Sequence, residues 1–494
     1  MKIRTIITQD AEVDDQNSLR HFLFYANEVE LQGIIQTSSK FHWIGVPGAV
    51  KPEKQEDSND FGSEDSGPFD APYRWPGTDW MWEVIDDYEK DYENLRRHAD
   101  GYPTPAELRA ITKVGNIGYE GEMEAPTDGS RLIGERILDD DPRPLYIQVW
   151  GGTNTIARAL MDIQTAHEKD PDWTELRERI MKKVVLTACG EQDGTYRSYI
   201  AEEWPDMLFV KTLQMRSYAY PWFVMPECDS KDTLKADFMK KEILNGKSAL
   251  ADGYCTWLDG KRYIGEGENG QFGANPNIVN EWFGARMGFK PEPFDFLSEG
   301  DSPTYFPLFD WGFRTLENFG YGGMGGRYRK VDGQFNSRGE ALNVWDVAMD
   351  PFTGRDGKTE DNESMWPYVG DIQRSFASRV DWAAADAYEK AEHAPTLSME
   401  AGVDIECAAG EAVCLHALAS NPDGADVTVS YRIYEGPSAP CAKDAVLEAN
   451  GCEAKVRIPE NASDGDQIHV VVRAEAAGHH RLCHFQQVII TVRR

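Results

Sequence analysis

Four carboxylates lie within six consecutive residues near the start of the chain, in the stretch TIITQDAEVDDQNSLR at residues 5–20. They are Asp10, Glu12, Asp14 and Asp15. Carboxylates this close repel one another unless a cation neutralises them, and a bound metal would leave one of them able to orient and deprotonate a water molecule. Oxygen ligands in this number suit Ca²⁺ better than zinc.

Other interpretations explain only part of this stretch. A helix N-terminus would stabilise Asp14 and Asp15 by a few tenths of a kcal/mol, but it leaves Asp10 unexplained. An EF-hand would need Gly where Asp15 stands and Glu where His21 stands. A phosphatase with an aspartyl nucleophile would need Asp in place of Glu12. Adjacent helical residues point about 100° apart, so one of Asp14 and Asp15 can face a metal while the other faces a substrate.

The segments around the acidic stretch alternate between strand and helix patterns. IRTIIT predicts a strand, and residues 14–27 carry apolar side chains at helical spacing. VELQGIIQT, PLYIQVW, KKVVLTACG and DMLFVKT predict further buried strands. This alternation predicts an α/β fold with a mainly parallel sheet and helices on both faces, in which ligands bind at the carboxyl ends of strands. Asp10, His42, Thr153 and the turn at residues 189–194 fall at that edge.

The chain divides into two parts by pattern. Residues 45–80 predict a long loop, because they are polar and rich in Gly, Pro and Asp, and residues 265–370 predict a second irregular region. Beyond residues 391–400 come short alternating runs separated by turn residues, which predict an all-β immunoglobulin-like sandwich. We therefore expect a catalytic domain at residues 1–395 and a β-sandwich domain at residues 396–494.

The amino-acid composition excludes several classes of binding partner. Lys and Arg number 51 against 84 Asp and Glu, a net charge of −33 that repels nucleic acid and anionic membranes and attracts divalent cations. No apolar run approaches the roughly 18–20 residues of a membrane span. MKIRTII lacks the apolar stretch of a signal peptide, so we expect a cytoplasmic protein. The eight cysteines include no C-x-x-C pair and are expected to be buried thiols, with disulfides in the tail as the alternative.

Several longer motifs resemble a known family. Asp10-x-x-x-Asp14-Asp15 directly after a strand resembles the acidic motif of the nucleoside hydrolases. VWGGTNTIARAL at residues 149–160 resembles their second motif, and EGDSPTYF at residues 299–306 resembles the later loop that supplies a calcium-binding Asp. YENLRRHADGYPTPAELR, YGGMGGRY and FASRVDW resemble a bacterial family of nucleoside-hydrolase-like proteins with a C-terminal β-domain, sometimes labelled cellulose-binding. The resemblance spans essentially the whole chain.

This resemblance implies roles for individual residues. Asp10, Asp15, Asp301 and the carbonyl of Thr153 would bind Ca²⁺, and Asp10 would also act as the general base on the attacking water. Asp14 would hold vicinal sugar hydroxyls. The implied reaction is hydrolysis of a glycosidic bond through an oxocarbenium-like transition state, with water attacking opposite the leaving group.

The sequence also departs from that family pattern. Thr8 and Glu12 stand where Asp and Gly are usual, and Gly300 precedes Asp301 where a catalytic His is usual. CGEQDGTYRSYIAEEW contains no Asn, although the family's substrate loop is rich in Asn. We therefore expect the half of the site that binds metal and water to be retained, and leaving-group activation and sugar recognition to be altered.

Other residues are candidates for those altered functions. His42 or Glu299 could protonate the leaving group, with a half-buried histidine and an exposed loop carboxylate as the simpler interpretations. The expected substrate-binding residues, besides Asp14, are Asn154, Gln192, Asp193 and Arg327. GYGGMG, just before Arg327, matches G-x-G-x-x-G but follows no strand and opens no helix, so it predicts no dinucleotide site. HHRLCH at residues 479–484 is interpreted as alternating exposure on a strand after a turn, in preference to a metal site.

The sequence thus predicts a calcium-dependent glycoside hydrolase that cleaves a small N-ribosyl or other furanosyl compound. The alternatives are a hydrolase of a plant or microbial glycoside and a non-catalytic carbohydrate-binding protein. The expected partner is a small nucleoside or glycoside, with no nucleic acid and no membrane, and a homo-oligomer is compatible with the sequence.

Overall fold

The structure is a computed structural model that describes residues 2–51, 60–61, 67–261 and 288–493. Parts of the predicted loop at residues 45–80 and of the predicted irregular region at residues 265–370 lie outside the described residues. Within the described ranges, no helix combines the length and the apolar character needed to cross a bilayer.

Eight strands form one large sheet. They are β1 (Ile3–Gln9), β2 (Val29–Gln36), β3 (Thr112–Val114), β4 (Leu145–Val149), β5 (Val184–Ala188), β6 (Leu208–Lys211), β7 (Tyr328–Lys330) and β8 (Val344–Val347). Their order is β3-β2-β1-β4-β5-β6-β8-β7, and every neighbouring pair is parallel except β7 with β8. The predicted mainly parallel sheet is therefore confirmed.

The strand register brings several chain turns to one edge. Thr8 of β1 pairs with Ile35 of β2 and with Val149 of β4. The backbone N–H groups of Thr37 and Trp150 then donate to the carbonyls of Gln9 and Thr8, each at 2.8 Å. Because the strands run in parallel, the residues that follow β1, β2, β4 and β5 meet at the same end of the sheet.

Helices cover both faces of this sheet. The longer ones are α1 (Val13–Leu23), α2 (Trp80–His98), α3 (Pro105–Ile111), α4 (Asp128–Leu138), α5 (Asn154–His167), α6 (Trp173–Lys183) and α7 (Val369–Ala384). Successive side chains of a strand point to opposite faces. Ile7 accordingly packs in the core formed with α1, α2 and α7, and Ile6 packs in the core formed with α4, α5 and α6.

Short helical turns fill the connections. One-turn α-helices are Ala201–Glu203, Met215–Tyr218, Asp229–Asp232, Ala236–Phe238 and Ala249–Asp252, and π-helical turns are Tyr196–Ile200 and Met239–Ile243. 3₁₀ turns are Trp222–Val224, Ser302–Thr304, Phe306–Leu308, Phe319–Tyr321, Trp366–Tyr368, Tyr388–Lys390 and Pro440–Asp444. The described residues of the region predicted to be irregular also hold an antiparallel hairpin of β9 (Met349–Thr353) and β10 (Thr359–Glu363).

The C-terminal part of the chain consists of two four-stranded sheets. Its strands are β11 (Thr396–Met399), β12 (Asp404–Cys407), β13 (Ala412–Ser420), β14 (Val427–Ile433), β15 (Val446–Asn450), β16 (Glu453–Arg457), β17 (Gln467–Ala476) and β18 (Cys483–Val492). The sheet orders are β11-β13-β16-β15 and β12-β18-β17-β14. Leu415 and Val456 of the first sheet share a core with Val470 and Ile490 of the second. Burial alternates along β13, as the sequence pattern predicts for strands with one solvated face.

The two parts of the chain contact each other directly. A Cβ added at Gly312, which has a φ of +82°, would overlap the carbonyl of Phe485, so the backbones approach there as closely as glycine permits. The guanidinium of Arg473 donates to Asp371 of α7 at 2.9 Å.

All eight cysteines are free thiols, and Cys414 and Cys452 are exposed, so the expectation of buried thiols is wrong for these two.

Candidate functional site

A sharp turn between β1 and α1 brings the acidic residues together. Ala11 has a φ of 69°, a left-handed conformation that costs a non-glycine residue about 1–2 kcal/mol. The helix then begins at Val13, with Glu12 at the N-cap position and its side chain making no capping hydrogen bond. Asp10 and Asp15 are each 1% exposed and Asp14 is 6% exposed.

Asp301 joins these residues from a distant part of the sequence. It directly precedes the 3₁₀ turn Ser302–Thr304 and is buried. Oxygens of Asp14, Asp15 and Asp301 lie within 4.8 Å of one another, and the backbone N–H of Asp10 donates to Oδ1 of Asp15 at 3.1 Å. A Cβ at Gly300 would lie 2.9 Å from Oδ2 of Asp14, so a histidine there would collide with the cluster.

Burial and mutual repulsion govern the protonation of the cluster. Burial, followed by the charge of Asp10, raises the pKa of Asp14 to about 6. Burial and the neighbouring carboxylates raise the pKa of Asp15 and of Asp301 well above the usual range. Burial acts in the same direction on Asp10, but the hydrogen bonds and charge of His42 together with Ser39 outweigh it and lower the pKa of Asp10.

Three oxygens of this cluster are buried without a hydrogen-bond donor among the described residues. They are Oδ1 of Asp10, Oδ1 of Asp14 and Oδ2 of Asp301. Unpartnered buried carboxylate oxygens are costly, and a divalent cation held by the group of Asp14, Asp15 and Asp301 would remove the repulsion within that group. The residues therefore fit a metal ion, and a set of carboxylate oxygens favours a hard cation such as Ca²⁺ or Mg²⁺.

A second group of side chains surrounds the other side of Asp10. Atoms of Asp10, Glu12 and His42 lie within 4.8 Å of one another. Nδ1 of His42 lies 3.3 Å from Oδ2 of Asp10, and the Ser39 hydroxyl donates a short hydrogen bond to the same oxygen. Arg74 lies 3.7 Å from Glu12, whose side chain is 14% exposed. Ser39 was not among the residues expected at the site, although SSKFHW follows β2 at the ligand edge.

The turns after β4 and β5 hold one another in place. The Asp193 carboxylate accepts from the Asn154 N–H at 2.9 Å and the Thr195 N–H at 3.0 Å, and the Thr153 hydroxyl donates to it at 3.2 Å. The amide of Asn154 donates to the Ser38 hydroxyl and to backbone carbonyls, and the Gln192 amide donates to the Trp150 and Cys189 carbonyls. These contacts fix the side chains of Asn154, Gln192 and Asp193, and their expected contact with substrate stays a prediction.

Glu299 is buried among polar side chains and is not the exposed loop carboxylate that the sequence suggested as the simpler case. Its carboxylate accepts from Tyr254 at 2.5 Å and from Ser302, and it lies 2.8 Å from Nδ1 of His21. Both Glu299 and His21 are fully buried. These contacts occupy both oxygens of Glu299, so they give it a positioning role for the turn that carries Asp301 and do not support the expected proton-donor role.

Arg327 binds β9, which in turn contacts the C-terminal part of the chain. Its guanidinium binds Asp350 and the carbonyl of Met349, and Asp350 in turn accepts a hydrogen bond from Tyr434 at 2.9 Å. The expected contact of Arg327 with a substrate stays a prediction, and its guanidinium donors are engaged by β9. The Thr153 carbonyl accepts the N–H of Ala157 at 2.9 Å in the first turn of α5.

The parallel sheet flanked by helices, with its acidic cluster at the strand ends, defines a nucleoside-hydrolase-like protein followed by C-terminal β-sheets. The chain belongs to the family described as cellulose-binding Sde182, nucleoside hydrolase-like domain, whose model matches residues 4–328. The model for the C-terminal domain of the cellulose-binding protein Sde0182 matches residues 412–492.

A solved structure that agrees with this fold is described as a nucleoside hydrolase-related hypothetical protein from Saccharophagus degradans that is associated with carbohydrate metabolism. It is similar over 100% of both chains, with 23% sequence identity and a TM-score of 0.69. A plant nucleoside hydrolase aligns over 77% of this chain and 99% of its own, with 10% identity and a TM-score of 0.33. A search of curated proteins finds no match.

Proposed function

We propose that the protein is a calcium-dependent glycoside hydrolase of nucleoside-hydrolase type that cleaves a small N-ribosyl or other furanosyl compound. The observation that carries the proposal is the set of buried carboxylate oxygens on Asp10, Asp14 and Asp301 for which the described residues supply no hydrogen-bond donor. They lie at the strand edge where α/β folds bind ligands. Burying such oxygens without a ligand destabilises a protein core, whereas the same arrangement suits a site that binds a cation and a polar ligand.

Asp10, Asp15 and Asp301 are the proposed cation ligands, together with the carbonyl of Thr153. A bound Ca²⁺ would neutralise the carboxylates and make the attacking water more acidic. The Thr153 carbonyl already accepts one hydrogen bond, from Ala157, and a carbonyl oxygen has a second lone pair available for a cation.

Asp10 is the proposed general base. Ser39 and His42 contact its Oδ2, which fixes the carboxylate and leaves Oδ1 available. The lowered pKa of Asp10 keeps it ionised at neutral pH. Oδ1 would accept a proton from the water as the water oxygen attacks the anomeric carbon and the bond to the leaving group breaks. The proposed role of His42 is therefore to orient Asp10, in preference to the leaving-group protonation expected from the sequence.

Asp14 and Glu12 are the proposed contacts for sugar hydroxyls. Asp14 is the most exposed carboxylate of the cluster that contains Asp15 and Asp301, and the partly exposed Glu12 carboxylate lies beside Asp10. Carboxylates accept hydrogen bonds from vicinal hydroxyls. The amide of Asn154 is held by the protein itself, so this recognition would rest on carboxylates in place of the amides that nucleoside hydrolases use.

A substrate panel tests the proposal. Full-length protein is treated with a chelator, and nucleosides and aryl furanosides are then assayed for released reducing sugar with and without Ca²⁺. We expect calcium-dependent release from at least one compound, at least about 10²-fold slower in Asp10→Asn and unchanged in Glu400→Gln, a control in an exposed part of the C-terminal sheets. Release that survives in Asp10→Asn, or that ignores Ca²⁺, would show that the proposed machinery is wrong.

A second candidate function is carbohydrate binding without catalysis. It is favoured by the description of both matching family models as cellulose-binding. In that case the cation would have a structural role, and the protein would bind cello-oligosaccharides saturably while leaving every glycoside of the panel intact. Equilibrium binding measured beside the hydrolysis assay distinguishes the two functions.

A further inference from the structure

The turn between β17 and β18 carries two adjacent histidines against the first part of the chain. The carboxylate of Glu392 accepts the backbone N–H groups of His479 and His480 at 2.6 and 2.9 Å. A Cβ at Gly478 would lie 2.8 Å from the same carboxylate, so a larger residue there would require Glu392 to shift. The backbone of the histidine pair is therefore fixed by a carboxylate from outside the C-terminal sheets.

Two more carboxylates of the first part of the chain face the imidazoles. Nε2 of His480 lies 2.8 Å from Oδ2 of Asp381 in α7. Nε2 of His479 lies 3.0 Å from Oε2 of Glu242, which belongs to the π-helical turn Met239–Ile243. His480 is 3% exposed and the side chain of Glu242 is 11% exposed, whereas His479 is about half exposed, so His479 is the most solvent-accessible member of the group.

One potential ligand atom each from Glu242, His479 and His480 lies within 4.8 Å of the other two. Two imidazoles and one carboxylate form the ligand set that zinc and similar first-row divalent cations prefer, and that Ca²⁺ does not. Asp381 is placed to orient the ring of His480, as a carboxylate commonly does for a metal-bound histidine. We propose that Glu242, His479 and His480 form a binding site for a zinc-class divalent cation that links the two parts of the chain.

Ion pairing alone is a weaker explanation of this cluster. Lys241 and Lys247 already contact Oε1 of Glu242 and Oδ1 of Asp381, at 2.7 and 2.6 Å. A neutral imidazole offers a nitrogen lone pair to a metal ion. The local pattern of HHRLCH predicts only strand alternation, because the partners Glu242 and Asp381 lie more than 90 residues away in the sequence.

The proposed site is independent of the acidic cluster at the strand ends, and its test keeps the two apart. Full-length protein is titrated with Zn²⁺ near pH 7.5 in excess Ca²⁺, which occupies the oxygen-ligand site. We expect one bound zinc in the wild type. We expect an affinity at least about tenfold lower in His479→Ala and in Glu242→Gln.

The matched control is His416→Ala. His416 is an exposed histidine in the same sheets that pairs with a single carboxylate, Glu400, at 3.0 Å, and its loss should leave zinc binding unchanged. Co²⁺ in place of Zn²⁺ should give visible d–d absorption in the wild type and not in His479→Ala. The absence of a bound zinc, or zinc binding that persists in both His479→Ala and Glu242→Gln, would overturn the proposal whatever the result for hydrolysis.

Discussion

Replacing Asp14 by asparagine tests the electrostatics of the carboxylate cluster. Asp14 is 6% exposed, and burial with the charge of Asp10 raises its pKa from 3.8 to about 6. The unfolded chain releases this proton near pH 4, whereas the folded protein holds it until about pH 6. Between these values the folded state binds more protons, so its stability falls as pH rises and stays lower above about pH 6.

The size of the effect follows from the shift. About two pKa units correspond to about 3 kcal/mol of destabilisation by ionised Asp14. Asparagine carries no charge, so Asp14→Asn in metal-free protein should raise the free energy of unfolding by up to about 3 kcal/mol near pH 8 and change it little near pH 4. For a chain of 494 residues this corresponds to roughly 3 °C in the unfolding temperature.

Unfolding of chelator-treated protein near pH 4 and near pH 8, with and without Ca²⁺, measures the effect. Ca²⁺ should stabilise the wild type more than Asp14→Asn near pH 8, because the cation removes a repulsion that the variant no longer has. Glu400→Gln, in which the lost carboxylate is exposed, is the matched control and should behave as the wild type. Destabilisation by Asp14→Asn of equal size at both pH values would refute this reasoning.

Three further substitutions have defined expected outcomes. Glu299→Ala should lower the free energy of unfolding by about 3–5 kcal/mol, because His21 and Tyr254 lose a buried partner. The substitution should also weaken calcium binding measured by calorimetry. An unchanged calcium affinity would contradict the positioning role of Glu299. Ala11→Gly should stabilise the protein by up to about 1 kcal/mol in denaturant unfolding, because glycine adopts the positive φ of 69° without strain; a loss of stability would mean that the turn is not strained. His469 is fully buried, and burial lowers its pKa to about 4, so the folded state releases its proton well below the unfolded value of about 6.5. The stability that neutral His469 contributes is complete above pH 6.5 and is lost, by about 3 kcal/mol, as pH falls to about 4. In His469→Gln the free energy of unfolding should therefore depend less on pH over that window. An unchanged pH dependence would contradict the lowered pKa of His469.

Local sequence patterns were sufficient for the frame of the site. IRTIIT followed by apolar residues at helical spacing predicts β1 and α1, and the alternation of such units predicts the parallel sheet that the structure shows. Because parallel strands end at one edge, Asp10, Asp14 and Asp15 could be placed near one another without coordinates. Asp301 was placed there by resemblance alone, and the structure brings its carboxylate within 4.8 Å of those of Asp14 and Asp15.

Contacts between distant residues could not be predicted in this way. SEGDSP has the composition of an exposed loop, yet Glu299 is buried by His21, which lies 278 residues earlier in the chain. Arg327 follows a glycine-rich turn, and nothing in its neighbourhood indicates that it binds Asp350, which also accepts a hydrogen bond from Tyr434. A charged side chain is buried only where a partner from elsewhere in the chain satisfies it, and single-sequence patterns do not identify that partner.

A crystal structure of the protein with Ca²⁺ and a ribose-like iminosugar is the most direct test of the central claim. We expect the ion between Asp10, Asp15 and Asp301 and the sugar hydroxyls on Asp14, with the anomeric position facing Oδ1 of Asp10. A calcium ion bound away from these carboxylates, or an iminosugar that binds elsewhere in the protein, would contradict the proposed glycosidase.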